Sequence, residues 1–265
     1  TPSDVRATLM TSDPARFEAI KAHDLNILVQ PYLYIGIVIL ILLIAIRLTK
    51  MPKASDEGGE EKSLWTAVKQ LSKVKNYREG VIAQFFYVGA QTVCWAYIVY
   101  YGHHVFHDLD GMADKAADQL TTRFYLTALA LFAIGRFVFT GFLKFVKPGK
   151  LLSVISIGAI VLLCGVIFAD GKPGLYCLVA VSGCMSLMFP TIYGIALNGL
   201  KENVKFGSAG LIMSILGGSV IPPIQAAIMD VKGDVLGLSS MNFSFFVPFI
   251  CFAVIAIYGF RSLKN

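Results

Sequence analysis

Four polar or aromatic side chains recur along one apolar stretch at spacings that place them on a single helical face. The stretch covers residues 80–101, and the four are Gln84, Tyr87, Gln91 and Trp95. Amides supply neutral hydrogen-bond donors and acceptors, and an indole supplies a flat apolar surface. This mixture suits a monosaccharide, which carries both hydroxyls and an apolar C–H face. The alternative is that the glutamines only join neighbouring helices by hydrogen bonds.

Further polar candidates lie in two later apolar stretches that carry prolines or glycines. Tyr193 and Asn198 follow Pro190, whose ring interrupts the hydrogen bonds of a helix, and they are the best candidates there for lining a substrate cavity. The stretch 208–229 contains Gly217-Gly218 and Pro222-Pro223, so we expect it to form a discontinuous or flexing helix.

Arg136 is the only charge that lies clearly inside an apolar segment, about two turns before the end of 121–143. Two roles are open for it. It can bond helix-end carbonyls or a carboxylate as a structural group, or it can form a gate contact that breaks during a conformational change. No Asp or Glu is central in any apolar segment, so a proton-binding carboxylate is not visible in this chain.

Motifs of enzymes and metal centres are absent from the sequence. His103, His104 and His107 precede Asp108 and Asp110, but their spacing matches no established zinc motif. The sequence contains no H-E-x-x-H, G-x-S-x-G or G-x-x-x-x-G-K-[ST] pattern, and its five cysteines include no C-x-x-C pair. We therefore expect no catalytic residues, no metal site and no cofactor.

The elements that position these side chains follow from composition. Of 265 residues, 56% are hydrophobic and 15% are charged, and the mean hydropathy is +0.67, which excludes an ordinary water-soluble domain. The sequence predicts an all-α, polytopic membrane helical bundle. The predicted spans are seven: 31–48, 80–101, 121–143, 150–168, 174–199, 208–229 and 241–260.

The predicted domain organisation has one long break, which separates the first span from the other six. Residues 1–30 are expected to form an external loop, 31–48 a single helix, 49–79 a cytoplasmic linker, and 80–265 a six-helix half. The linker begins with a flexible acidic segment at 55–61. An interfacial helix follows that segment, because one helical face combines Leu64, Trp65, Val68 and Leu71.

The distribution of Lys and Arg residues predicts the orientation of the chain in the membrane. The loops on one side of the predicted membrane carry roughly twice as many of them as the loops on the other side. The positive-inside rule then places the linker and the C-terminus in the cytoplasm, and it explains the net charge of +6 without a nucleic-acid partner. An odd span count with an external start fits a transporter of two six-helix halves without its first five helices. A seven-helix receptor or scaffold is the competing architecture.

Several segments resemble the L-fucose:proton symporters of the major facilitator superfamily. The string at 81–95 is similar to their seventh helix, and the likeness runs over roughly 77–262, with the helix opening at 30–35. Shorter supporting segments lie at 134–137, 189–193, 205–208 and 215–218.

The resemblance implies helices six to twelve of a twelve-helix transporter that works by alternating access. It implies import of a monosaccharide with a proton across the inner membrane, with the proton-binding carboxylates in the N-terminal half of the same transporter. The related glucose/galactose carriers tend to have an acidic residue at the position of Gln91, so glutamine favours the fucose branch. Another neutral hexose is the alternative substrate. The implied partners are the sugar, the proton, the lipid bilayer and the N-terminal half.

Overall fold

The structure is a computed structural model that describes residues 14–48, 64–200, 203–231, 233 and 235–263. Among these residues the regular elements are helices, apart from one isolated β-bridge between Val235 and Leu238. The acidic segment predicted at 55–61 lies outside them. The chain divides into two compact units, Thr1–Glu60 and Glu61–Asn265, which are described separately.

The first unit contains one long helix, α1, which runs over Pro14–Leu48 and continues through Pro31. The prediction that the helix begins at 31 after a loop is therefore wrong for residues 14–30. Hydropathy detects only the apolar part of this helix, Val29–Ala45. The part before it, residues 14–28, mixes charged and polar residues with three alanines and two leucines, which favour helix, so it forms helix without a continuous apolar signal.

Among the described residues, the second unit has ten further α-helices. The structure describes α2 at Leu64–Lys73, α3 at Lys75–His103, α4 at Asp114–Phe142, α5 at Pro148–Phe168, α6 at Lys172–Met185, α7 at Met188–Leu197, α8 at Val204–Met213, α9 at Gly217–Met229, α10 at Ser240–Ser244 and α11 at Phe246–Ser262. A π-helical turn, His104–Leu109, extends α3.

The six spans predicted for this unit are confirmed as helices long and apolar enough to cross a membrane. They are Lys75–Leu109, Asp114–Phe142, Pro148–Phe168, Lys172–Leu197, Val204–Met229 and Ser240–Ser262. The first of them begins five residues before the predicted start at 80, because its polar first turn does not contribute to the hydropathy signal.

Helix α3 is the centre of the unit and packs against α4, α7, α9 and α11. Its contact with α9 is close because glycines lie at the crossing. A Cβ atom on Gly217 would collide with the backbone oxygen of Phe85, and a Cβ atom on Gly89 would collide with Ile221. Small residues of this kind allow helix backbones to approach in a bilayer, where apolar burial does not drive association.

The predicted discontinuity in the stretch 208–229 is present. Helix α8 ends at Met213, a 3₁₀ turn covers Ser214–Leu216, and α9 begins at Gly217. The two prolines, Pro222 and Pro223, lie inside α9 and do not end it. The change of helix type therefore falls directly before the glycine pair.

The predicted interfacial helix corresponds to α2. Leu71 on this helix is buried in a small apolar cluster with Tyr77, Ala196 and Leu211, whereas Val68 is 53% exposed. The side chains of Leu64 and Trp65 lie outside the part of the chain that the structure describes. The end of α2 is therefore anchored by packing against the helical bundle.

Candidate functional site

A break between α6 and α7 lies opposite the polar face of α3. Only Ser186 and Leu187 separate the two helices. Pro190 has no amide hydrogen, so it cannot donate to the carbonyl of Ser186 four residues earlier. Arg136 of α4 supplies the missing donor, because its Nε lies 3.2 Å from that oxygen. The first of the two roles predicted for Arg136, a structural bond to a helix-end carbonyl, is therefore observed, and the gate stays a prediction.

Tyr87 of α3 binds the neighbouring carbonyl at the same break. Its hydroxyl donates to the oxygen of Met185 at 2.9 Å, and its side chain is fully buried. Tyr87 and Arg136 thus bind two consecutive carbonyls, those of Met185 and Ser186. Three segments, α3, α4 and the α6–α7 break, meet at this point.

Trp95 is held in a fixed orientation beside the break. Its ring meets Phe132 edge to face, with centroids 4.9 Å apart and an interplanar angle of 78°. Its Nε1 donates to the hydroxyl of Ser182 at 3.3 Å. The Arg136 guanidinium lies 5.2 Å from the centre of the Phe132 ring, a cation–π distance. The indole and the guanidinium therefore share one aromatic ring.

The four residues of the predicted polar face of α3, Gln84, Tyr87, Gln91 and Trp95, are called the stripe below, and they differ in solvent accessibility. Gln84 and Tyr87 are both fully buried within this unit, and Gln91 and Trp95 are half-buried. Neither the nitrogen nor the oxygen of the Gln84 amide has a hydrogen-bond partner among the described residues. Gln91 and Trp95 are thus the members with accessible surface in this unit, whereas Gln84 and Tyr87 have none.

Tyr193 joins this cluster and Asn198 does not. The Tyr193 ring stacks on Phe189 with centroids 6.3 Å apart, and Phe189 in turn meets Tyr87 at 6.1 Å. Asn198 is exposed beyond the end of α7, and none of the described hydrogen bonds or ring contacts links it to the stripe. The structure therefore supports the grouping of Tyr193 with the stripe by contact, but not that of Asn198.

Asn198 instead lines a cavity of about 800 Å³. Lys75, Asn76 and Lys147 also line this cavity, and none of the four stripe residues does. Asn76 is fixed there by donating from Nδ2 to the carbonyl of Ile195 at 2.8 Å. The cavity lies where α3 and α5 begin and α7 ends, away from the aromatic rings around Trp95.

Sequence reasoning missed two aromatic residues and two backbone groups of this cluster. Phe132 precedes Arg136 by one helical turn, and Phe189 directly precedes Pro190, so a search for rings one turn from a charge in an apolar segment or beside a proline would have found both. No side-chain pattern identifies the acceptor carbonyls of Met185 and Ser186.

Comparisons with known proteins place this arrangement in context. No family model matches the chain. Over 254 residues, 96% of this chain and 57% of the relative, the chain is 47% identical to the L-fucose-proton symporter of Haemophilus influenzae. It is 33% identical to the L-fucose-proton symporter of Escherichia coli, over 98% of this chain and 58% of that protein. Identity to a glucose/galactose transporter of Brucella abortus is 29%, over 89% of this chain and 53% of that protein.

Two solved structures of fucose transporters also resemble this chain in fold. A Major Facilitator Superfamily transporter, FucP, crystallised in the outward conformation, matches 99% of this chain over 60% of its own length, with a TM-score of 0.80 and 28% identity. The fucose:proton symporter FucP of E. coli matches 99% of this chain over 61% of its length, with a TM-score of 0.80 and 30% identity.

The chain therefore has the fold of the Major Facilitator Superfamily over the length that it covers, and it is a multi-pass membrane protein. More particularly, it is a homologue of the L-fucose-proton symporters, which confirms the resemblance drawn from residues 81–95. The chain spans a little more than half the length of the curated relatives that it matches.

Proposed function

We propose that this chain forms the sixth helix and the C-terminal half of a proton-coupled sugar transporter, and that the whole transporter imports L-fucose. The observation that carries the proposal is the 47% identity over 96% of the chain to an L-fucose-proton symporter. The lower identity of 29% to a glucose/galactose transporter favours fucose over the other hexoses.

In the proposed mechanism two halves rock about a site at the middle of the membrane. Gln91 offers amide donors and acceptors to the sugar hydroxyls, and Trp95, fixed by Phe132 and Ser182, offers its ring to the C–H face. The α6–α7 break is the flexible point on this side. Arg136 acts as the gate by keeping or releasing the Ser186 carbonyl as the helices move.

The coupling ion is a proton, and the carboxylates that bind it belong to the other half of the transporter. The sequence of the spans supports this division, because no Asp or Glu lies near the centre of any of them. The proposed location is the inner membrane with a cytoplasmic C-terminus, which the excess of Lys and Arg in the loops on that side supports.

Uptake by the full-length protein tests the proposal. The protein is reconstituted into proteoliposomes, and entry of labelled L-fucose is followed with and without an inward proton gradient. We expect the gradient to drive accumulation, and unlabelled L-fucose to compete better than D-galactose or D-glucose. Sugar binding without uptake would support the receptor alternative instead, and stronger competition by D-glucose would reject fucose as the substrate.

A further inference from the structure

A cluster of imidazoles and carboxylates connects the end of α3 to the start of α4. His107 lies in the π-helical turn, and Asp114 lies in the first turn of α4. The Nε2 atom of His107 is 2.8 Å from Oδ1 of Asp114, and its Nδ1 atom is 3.1 Å from Oδ1 of Asp108. Both ring nitrogens of one histidine therefore face carboxylate oxygens, on two different helical segments.

This geometry favours one protonation state. A neutral imidazole carries a hydrogen on one nitrogen and a lone pair on the other, and ionised carboxylates only accept hydrogen bonds. A neutral His107 would therefore turn a lone pair toward one of the two carboxylates, which is repulsive. Only the imidazolium, with a hydrogen on each nitrogen, satisfies Asp108 and Asp114 together.

Other histidines in the cluster make weaker or simpler contacts. His103 stacks on His107 with ring centroids 5.0 Å apart, and its Nε2 lies 3.4 Å from Asp114 Oδ1 and 3.8 Å from Asp118 Oδ1. Among the described side chains, His104 makes an ionic contact with Asp108 alone, through its Nδ1 at 2.7 Å. His107 is thus the histidine that contacts carboxylates through both ring nitrogens and makes the shortest contact with α4, whereas His103 reaches α4 at longer distances.

The remaining charges nearby do not replace the imidazolium. Lys172 of α6 pairs with Asp110 at 3.0 Å, so its charge is engaged beside the cluster. Neither Lys115 nor Asp170 has a described contact with the His103 or His107 ring. Since carboxylates outnumber lysines here, the histidines are the groups that can balance them.

We propose that His107 is a proton-dependent clasp between the ends of α3 and α4, closed when its ring is protonated and released when its ring is neutral. Unperturbed imidazole side chains change charge between about pH 5 and pH 8, and this is the range in which the clasp is tested. Helices α3 and α4 carry Trp95 and Phe132, and the clasp holds these helices together at the end away from Lys75. It does not depend on the sugar that is transported.

A proton fits this cluster better than a metal ion does. The Nε2 atoms of His103 and His107 both lie near one oxygen, Oδ1 of Asp114, at 3.4 and 2.8 Å, so each is placed to share a proton with that carboxylate. Within the described part of the chain, no group of three His, Cys, Asp or Glu residues is arranged to hold a metal ion.

Hydrogen exchange on the full-length protein tests the clasp. Amide protection of residues 104–116 is measured between pH 5.5 and pH 7.5, after correction for intrinsic exchange rates. We expect protection in the unmodified protein to be about threefold higher at the lower pH, the size of effect typical of an exposed ion pair. His107→Gln should remove most of this dependence, because only the longer contacts of His103 with Asp114 and Asp118 then remain. His107→Arg, which keeps a positive charge, should hold protection high at both pH values.

His104→Gln is the matched control, because His104 contacts one carboxylate and does not bridge the helices; it should keep the pH dependence. Asp114→Asn removes the α4 carboxylate that both His103 and His107 contact, so it should also remove most of the dependence, which provides a second test if His107→Gln folds poorly. Unchanged pH dependence in His107→Gln or Asp114→Asn, or equal loss in His104→Gln, would overturn the proposal.

Discussion

Arg136 donates from Nε to the carbonyl oxygen of Ser186, 3.2 Å away, and this is the carbonyl that Pro190 leaves without a helical donor. A proline that opens one helix is thus compensated by a side chain fifty residues away in the sequence. Tyr87 binds the preceding carbonyl, that of Met185, from a third helix. The break is therefore a defined junction of three helices.

The Arg136–Ser186 bond predicts a thermodynamic coupling with Pro190. Arg136→Met should lower the free energy of unfolding by about 1–2 kcal/mol, because a carbonyl in the bilayer loses its donor. Pro190→Ala supplies an amide hydrogen that can bind the Ser186 carbonyl. Arg136→Met should therefore lower the free energy of unfolding by less in the Pro190→Ala variant. Unfolding of the two single variants and the double variant measures the coupling as a cycle.

Arg123→Met is the control for this cycle. Arg123 lies on the same helix and is exposed, and none of the described contacts involves its side chain. Its substitution should change the free energy of unfolding by less than about 0.5 kcal/mol, as is usual for surface positions. If Arg136→Met lowered the free energy of unfolding equally in the unmodified protein and in the Pro190→Ala variant, the proposed role of the arginine would be contradicted.

Tyr87→Phe tests the second carbonyl contact. The change removes one hydroxyl and retains the ring that meets Phe189, so we expect a loss of about 1 kcal/mol in the free energy of unfolding. Tyr100→Phe makes the same chemical change at a side chain that is 60% exposed and should be neutral. Thermal unfolding of both variants in detergent compares them, and similar melting temperatures would argue against the Met185 bond.

Gly217→Ala tests the close approach of α9 to α3. The added methyl group would collide with the backbone oxygen of Phe85, which cannot move aside as a flexible side chain would. We expect a loss of about 1–3 kcal/mol in the free energy of unfolding, together with weakened transport. Gly183→Ala is the control, because nothing lies within 4 Å of a Cβ atom placed there. An equally stable Gly217→Ala variant would show that the two helices can separate.

Gln91→Ala tests the proposed sugar contact. Loss of its amide should weaken L-fucose binding to the full-length transporter about tenfold, the effect of one or two hydrogen bonds, without a large change in melting temperature. Gln119→Ala, at an exposed position near the start of α4, should leave binding unchanged. Calorimetric titration measures both, and unaltered affinity in Gln91→Ala would remove it from the site.

Hydropathy was sufficient to locate the membrane helices but not to define the residues at which they begin and end. A bilayer requires about 20 apolar residues in each helix, so the six long spans were evident. Residues 14–28 and 75–79 give no such signal, yet they continue α1 and α3 as helix. Helix formation depends on backbone hydrogen bonds and propensity, which do not require apolar side chains.

The sequence by itself determined that Gln84, Tyr87, Gln91 and Trp95 share one face, because helical periodicity fixes the direction of side chains along a single element. Only the tertiary structure decided that Tyr87 and Arg136 bind the carbonyls of a broken helix, and that Asn198 lies apart from them. Every residue has a carbonyl, so the identity of an acceptor depends on which segments meet in space.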